Sequence, residues 1–260
     1  MDRTIAAAPF ALAMFAGMLI CLEIGRRIGA RHLRKDPQVM SGHSSVDSAV
    51  FALYGLLLAF TFSGAPTRLD TRRQLIAQEA NAIGTAYLRV DLLAADQQPT
   101  MRALFRDYVD SRLKTYHDFR EVAQAKTELA RSTEIQKEIW RHAVNATAAA
   151  ASSHSEAGKL LLPALNEMFD IATTRTMAAR IHPPLIIFVL LFLLALVCSL
   201  LAGYGMAVSK QRSWLHILAF TAIAVVTVFV ILQLEYARMG VLSVESQYDQ
   251  VLIDLRNSMN

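Results

Sequence analysis

The sequence predicts an all-α integral membrane protein, with four transmembrane helices and a large helical extramembrane bundle inserted between helices 2 and 3. Three observations predict it. Of 260 residues, 54% are hydrophobic and only 18% charged, against about 25% charged in an ordinary soluble domain. The apolar excess is concentrated in four runs without an acidic or basic side chain, each near the ~20 residues that cross roughly 30 Å of hydrocarbon as a helix. Between the second and third runs lies a polar stretch, residues 68–182, dominated by strong helix formers and nearly free of Gly and Pro. The same composition excludes a disordered chain, a collagen and a disulfide scaffold. Cys21 and Cys198 both lie in apolar runs and cannot build a zinc site.

The first run, Thr4 to Leu22, has 19 residues. No small-x-small cleavage site follows it, and Arg26, Arg27, Arg31, Arg34 and Lys35 do, which reads as the stop-transfer flank of an uncleaved anchor. The second run, Ser48 to Thr67, has 20 residues; the third and fourth, Pro183 to Ser209 and Ser213 to Leu234, have 27 and 22. Ser44 and Asp47 fit a capping box that opens the second helix. The expected division is therefore 1–67 for the first two spans, 68–182 for the helical domain, 183–236 for the last two spans, and 237–260 for a C-terminal tail.

Within the insert, Pro99 suits the first turn of a helix after the Asp96-Gln97-Gln98 break. Leu104, Phe105, Tyr108, Val109, Leu113, Tyr116 and Phe119 then recur with helical period. Ala146 to Ser155 reads as a loose connection, and Leu160 to Arg180 as a further helix, started or interrupted by Pro163 and ended before His182-Pro183-Pro184. Positive residues in short loops stay in the cytoplasm. The loop after the first span holds five Lys/Arg, and the loop between spans three and four holds Lys210 and Arg212. This places both loops inside and the helical domain outside the cytoplasm.

The second helix carries the most information. A 3-4 spacing picks out Ser48, Ala52, Gly55, Ala59, Phe62 and Pro66, with Ser63 beside it. The spacing continues through Leu69, Arg73, Ile76, Ala80, Ile83, Tyr87, Val90 and Ala94, as one heptad seam that Pro66 is placed to bend. Small residues let helix backbones approach closely in lipid, and around the axis of a homo-oligomer they would also leave an aqueous path. Arg68, Arg72 and Arg73 follow the membrane half; in a symmetric assembly each becomes a ring that attracts anions, whereas singly each anchors to lipid phosphate. Glu79, Asn81, Thr85 and Arg89 lie among small residues and are expected to form inter-helix hydrogen bonds.

Other polar groups read more plainly. Glu134, Glu138 and His142 share one helix face, but Lys137 and Arg141 interleave and mark a solvated stripe rather than a cation site. His216 is expected to be a satisfied interior imidazole, and Glu235 and Arg238 interfacial residues. No catalytic serine elbow, zinc-protease motif or phosphate-cradling glycine loop occurs, so no enzyme, metal site or cofactor is expected. The insert's charges nearly balance, 16 Lys/Arg against 14 Asp/Glu, which excludes a nucleic-acid footprint.

The segments GLLLAFTFSG (Gly55–Gly64), RRQLIAQEANAIGTAYLR (Arg72–Arg89), LLPALNEMFD (Leu161–Asp170) and HPP (His182–Pro184) resemble the bacterial bestrophin-like membrane family of unknown function. The resemblance covers nearly the whole chain and implies kinship with bestrophins, which are pentameric anion channels with four spans per subunit and a large domain between spans two and three. The chain departs from bestrophins in three respects. Ala52, Gly55 and Ala59 stand where a bestrophin neck carries bulky apolar residues, no acidic cluster matches the calcium clasp, and the charge-based topology puts the large domain on the opposite side. The resemblance implies a homo-oligomer, with the lipid bilayer and small anions such as chloride as its other partners. The alternative expectation is a non-conducting envelope scaffold or sensor whose helical domain binds a partner protein.

Overall fold

The computed structural model describes residues 3–35, 44–117, 122–149, 155–209, 213–236 and 249–259. Phe119, Lys210, Arg212 and Arg238 lie outside them, as does the side chain of Ser44. The described elements are all helical, with no strand among the described residues: α1 (Arg3–Lys35), α2 (Ser44–Leu88), α3 (Gln98–His117), α4 (Val122–Ala149), α5 (Ser155–Ala178), α6 (Leu185–Gly205), α7 (Trp214–Glu235) and α8 (Gln250–Ser258). Single 3-10 turns follow α2 at Arg89–Leu92 and α6 at Met206–Val208. Helices α1, α2, α6 and α7 are long and apolar enough to cross a membrane, and the chain is a multi-pass membrane protein.

The elements differ from the sequence reading at several boundaries. Pro66 lies inside α2, and the helix continues unbroken through it. Ala146 to Ala149 are the last turn of α4 rather than a loose connection; alanine's helix propensity outweighs the loop-like look of an Ala/Ser run. Helix α5 begins at Ser155, so Pro163 sits inside it. His216 is exposed in the first turn of α7 and hydrogen-bonds Ser213, not an interior imidazole. Glu235 is fully buried at the end of α7 instead of interfacial.

The chain forms two compact units. The first comprises Met1–Arg68 and His182–Tyr236. Its core contains Met14 and Met18 of α1, Tyr54 and Ala65 of α2, Leu191, Ala195 and Cys198 of α6, and Val228 and Ile231 of α7. Helices α1 and α6 approach most closely. A Cβ built on Gly25 would sit 2.0 Å from the Leu200 carbonyl oxygen, and one on Gly203 2.0 Å from that of Leu22. Only hydrogen fits at either position, and the two glycines lie in rows of small residues four apart, Gly17-Cys21-Gly25 and Ala195-Ser199-Gly203.

The second unit comprises Leu69–Ile181 and Ala237–Asn260. Ile76 and Ile83 of α2, Phe105, Tyr108 and Val109 of α3, Ile139 of α4, and Leu161, Leu165 and Met168 of α5 make its core. Helix α8 closes it with Leu252 and Met259. Arg256 of α8 chelates Asp110 of α3 at 2.7 and 3.1 Å, and the Met259 carbonyl accepts bonds from Tyr87 and Arg106.

Candidate functional site

The membrane half of α2 packs on its own subunit through Phe51, Tyr54, Leu58 and Ala65. One position further along lie Ala52, Gly55 and Ala59, displaced by ~100° around a helix of 3.6 residues per turn. Ser48, Ala52, Gly55, Ala59, Phe62 and Ser63 are all exposed. A Cβ on Gly55 would meet nothing within 4 Å, the opposite of Gly25 and Gly203. Only 11% of the apolar window of α2 is buried, against 22% in α1 and 28% in α6 and α7. The slim face of α2 is thus uncovered in the single subunit.

The seam does not stay on that face. Leu69, Ile76, Ala80, Ile83 and Val90 continue the heptad spacing yet are buried, the last four in the second unit's core. A seven-residue repeat drifts by ~20° per heptad on a straight α-helix. From Gly55 to Val90 are five heptads, so the drift reaches ~100°, which is the angle separating the bare face from the packed one. The inward side of α2 instead follows a 3.6 period: Tyr54, the half-buried Leu58, then Ala65, Leu69, Arg72, Ile76, Glu79, Ile83, Ala86 and Val90.

The three arginines all have partners inside the subunit. Arg68 donates from Nε to Glu235 Oε1 at 2.7 Å, with a second bond from Nη2. The Glu235 side chain is fully buried; His182 Nδ1 lies 4.0 Å from its other oxygen and stacks on Tyr236. Arg72 is buried and donates to the Ala178 and Ile181 carbonyls at 3.3 and 2.8 Å, satisfying acceptors that the end of α5 leaves open. Arg73 pairs with Asp70 at 3.2 Å, one turn back.

Of the four polar residues in the second half of α2 and the turn after it, Glu79 is the centre of a buried cluster. Its side chain is fully buried and accepts Arg112 Nε at 2.6 Å on one oxygen and Arg175 Nη1 on the other. Arg175 also reaches Asp249 at 3.2 Å, so two guanidiniums face two carboxylates. Tyr116 lies between them: its ring is 3.7 Å beneath Arg175 and its hydroxyl accepts Arg112 at 2.9 Å. Burial pulls the Glu79 carboxyl upward, but Arg112 and Arg175 outweigh it and hold the group below the usual carboxylate range. Burial likewise lowers Arg112, and Glu79 more than restores it, so the guanidinium titrates above its ordinary value. Tyr108, which accepts Gln136 at 3.1 Å, is raised chiefly by burial. Asn81 and Thr85 are exposed, and Arg89 donates to the Leu160 carbonyl at 2.6 Å. No group of three metal-ligating side chains occurs among the described residues. Glu134 and Glu138 are exposed, with Glu134 paired to Lys137.

Four apolar helices and a helical domain between the second and third of them are the layout the motifs implied. The bestrophin-like domain model matches residues 12–248, all but the two ends of the chain. The chain belongs to the bestrophin-like family. Comparison with curated proteins and with solved structures found no match. The bestrophin-like family is associated with channels rather than enzymes.

Sequence reasoning missed two features of this bestrophin-like chain. The first is the partner set of Glu79: Arg112, Arg175 and Asp249 lie 33, 96 and 170 positions away, and nothing local marks them. Helical period alone had the signal for Arg112, since it falls on the same face as Phe105, Tyr108 and Tyr116, where a solvated arginine does not belong. The second is the glycine contact of α1 and α6. Its signal is the two rows of small residues four apart, Gly17-Cys21-Gly25 and Ala195-Ser199-Gly203.

Proposed function

We propose that this bestrophin-like protein assembles as a homo-oligomer in the bacterial inner membrane and conducts small anions such as chloride along a path lined by α2. The helical domain then lies outside the cytoplasm, on the charge of the two short loops. The observation that carries the reading is the slim, uncovered membrane face of α2, with Ser48, Ala52, Gly55, Ala59, Phe62 and Ser63 outward. In lipid there is no hydrophobic drive between helices, so a face of small groups is useful where backbones approach or where a narrow path needs room. Family membership supports the channel reading. Of the three arginines we assign the ion-attracting role to Arg73, whose pair with the exposed Asp70 is a local one, one turn back on α2.

Reconstituted protein in planar bilayers is expected to pass chloride current. Arg73→Glu should shift the reversal potential toward cations, and Gly55→Leu should remove the current while leaving the subunit folded. Assembled protein that passes no current under any ionic gradient overturns the proposal. A second reading, a non-conducting scaffold or sensor whose helical domain binds a partner protein, is favoured by the internal partners of Arg68 and Arg72. A stoichiometric partner recovered with the full chain, together with silent bilayers, would select it.

A further inference from the structure

A cleft of about 340 Å³ opens in the first unit where α1, the end of α6 and the start of α7 meet. Its walls are apolar, including Leu19, Leu22 and Ile217, and Glu23, Arg26, Arg27 and Trp214 stand among them. Its depth follows from the sequence. The charge-free run of α1 ends at Leu22, α6 ends at Gly205, and the apolar run of α7 starts at Trp214. All three reach the border of hydrocarbon and headgroups, where a tryptophan with one wet edge is at home. The charges are unequal in kind. Glu23 is held by Arg27 at 2.8 Å, whereas Arg26 is half-buried and has no ion-pair partner among the described residues. A half-buried guanidinium beside apolar walls at this depth is costly until an anion meets it. The anion present at that depth is a lipid phosphate, and the apolar wall below suits the acyl chain attached to it.

We propose that this cleft binds an anionic glycerophospholipid, with Arg26 on its phosphate and the upper acyl carbons against Leu19, Leu22 and Ile217. The site is independent of conduction: it is formed by one subunit and does not involve α2. One cation near an anionic membrane surface contributes about 1 kcal/mol, a preference of about fivefold for an anionic over a zwitterionic lipid.

The test uses the full chain with Trp140→Phe, which leaves Trp214 as the only indole. It is reconstituted in phosphatidylcholine vesicles that contain brominated phosphatidylglycerol or, at equal mole fraction, brominated phosphatidylcholine. Quenching of Trp214 should show the anionic lipid bound about fivefold better. Arg26→Gln should remove the preference, while Arg31→Gln, on the exposed turn beyond, should keep it, and excess inorganic phosphate should not compete. Equal quenching by the two lipids overturns the proposal. So does a preference that survives Arg26→Gln, one lost equally in Arg31→Gln, or one abolished by free phosphate. Should Arg26→Gln fail to insert, the comparison of the two lipids on the parent chain still decides, with the preference expected to fall as salt rises.

Discussion

Glu79 sits where water cannot reach it, and its charge is tolerated only because Arg112 and Arg175 each give it a hydrogen bond. Removing one partner of a buried ion pair typically costs about 3–5 kcal/mol, because the other charge is left uncompensated. Glu79→Gln keeps the shape, leaves Arg112 without its carboxylate and leaves Arg175 with Asp249 as its remaining carboxylate. We expect its helical domain to be destabilised by about 3–5 kcal/mol, read as a lower midpoint for loss of helical circular dichroism in detergent. The sign of the pH dependence follows from the direction of the Glu79 shift. Its folded carboxyl titrates below its unfolded value, so its stabilisation is complete above the ordinary carboxylate range and is lost as pH falls through the folded pKa. The midpoint of the parent chain should therefore drop on acidification below about pH 4, and the Glu79→Gln chain should drop less. Equal acid sensitivity in the two chains would mean that other carboxylates control the transition.

At the scale of the helix, two glycines and a third separate two uses of small residues. Gly203 faces the Leu22 carbonyl with room only for hydrogen, so Gly203→Ala forces α1 from α6; overpacking costs about 1–3 kcal/mol or more. Gly55→Leu adds a larger side chain over open space. We expect Gly203→Ala to lower the thermal midpoint of the subunit, and Gly55→Leu to leave that midpoint unchanged while the assembly dissociates in size-exclusion chromatography. This contrast also says what was legible in the sequence. The spans, the helical period around Phe105 and Tyr108, and the start of α3 at the Pro99 turn depend on neighbours in the chain, and composition and spacing reveal them. The α2 seam misled, because a heptad drawn over five repeats departs by ~100° from the face of a straight helix. Its first half was read as the slim side, and its second half, from Leu69 to Val90, belongs to the subunit's own core. The partners of Glu79 were hidden for another reason: only packing brings α2, α3, α5 and Asp249 together. Helix α8 was likewise unremarkable as a tail, yet Arg256 and Leu252 dock it. Arg256→Ala should loosen it, seen as faster hydrogen exchange over 250–258 with the spans unaffected.

For the whole molecule, the proposed assembly turns on whether copies meet and on which side of α2 they share. Within one subunit α2 leaves bare both its slim side and bulky residues such as Phe60, so exposure alone does not separate lipid from a neighbouring copy. Side-chain size does, since lipid tails solvate large apolar groups well, while close backbone approach requires small ones. If copies gather about an axis, a cysteine on the slim side lies within reach of its equivalents, and one on the outer surface of α6 does not. We therefore expect a chain with Cys21 and Cys198 replaced by Ala and Ala59→Cys added to give, with a short bifunctional maleimide in native membranes, a ladder of bands ending at the subunit number. On the proposed kinship with bestrophins, the expected last band is a pentamer. Leu190→Cys, exposed on α6, should stay monomeric under the same reagent, and Gly55→Leu combined with Ala59→Cys should lose the ladder. A ladder from Leu190→Cys equal to that from Ala59→Cys would reflect collision in the bilayer, and a dimer as the last band from Ala59→Cys would replace the ring with a two-fold contact that has no room for a path.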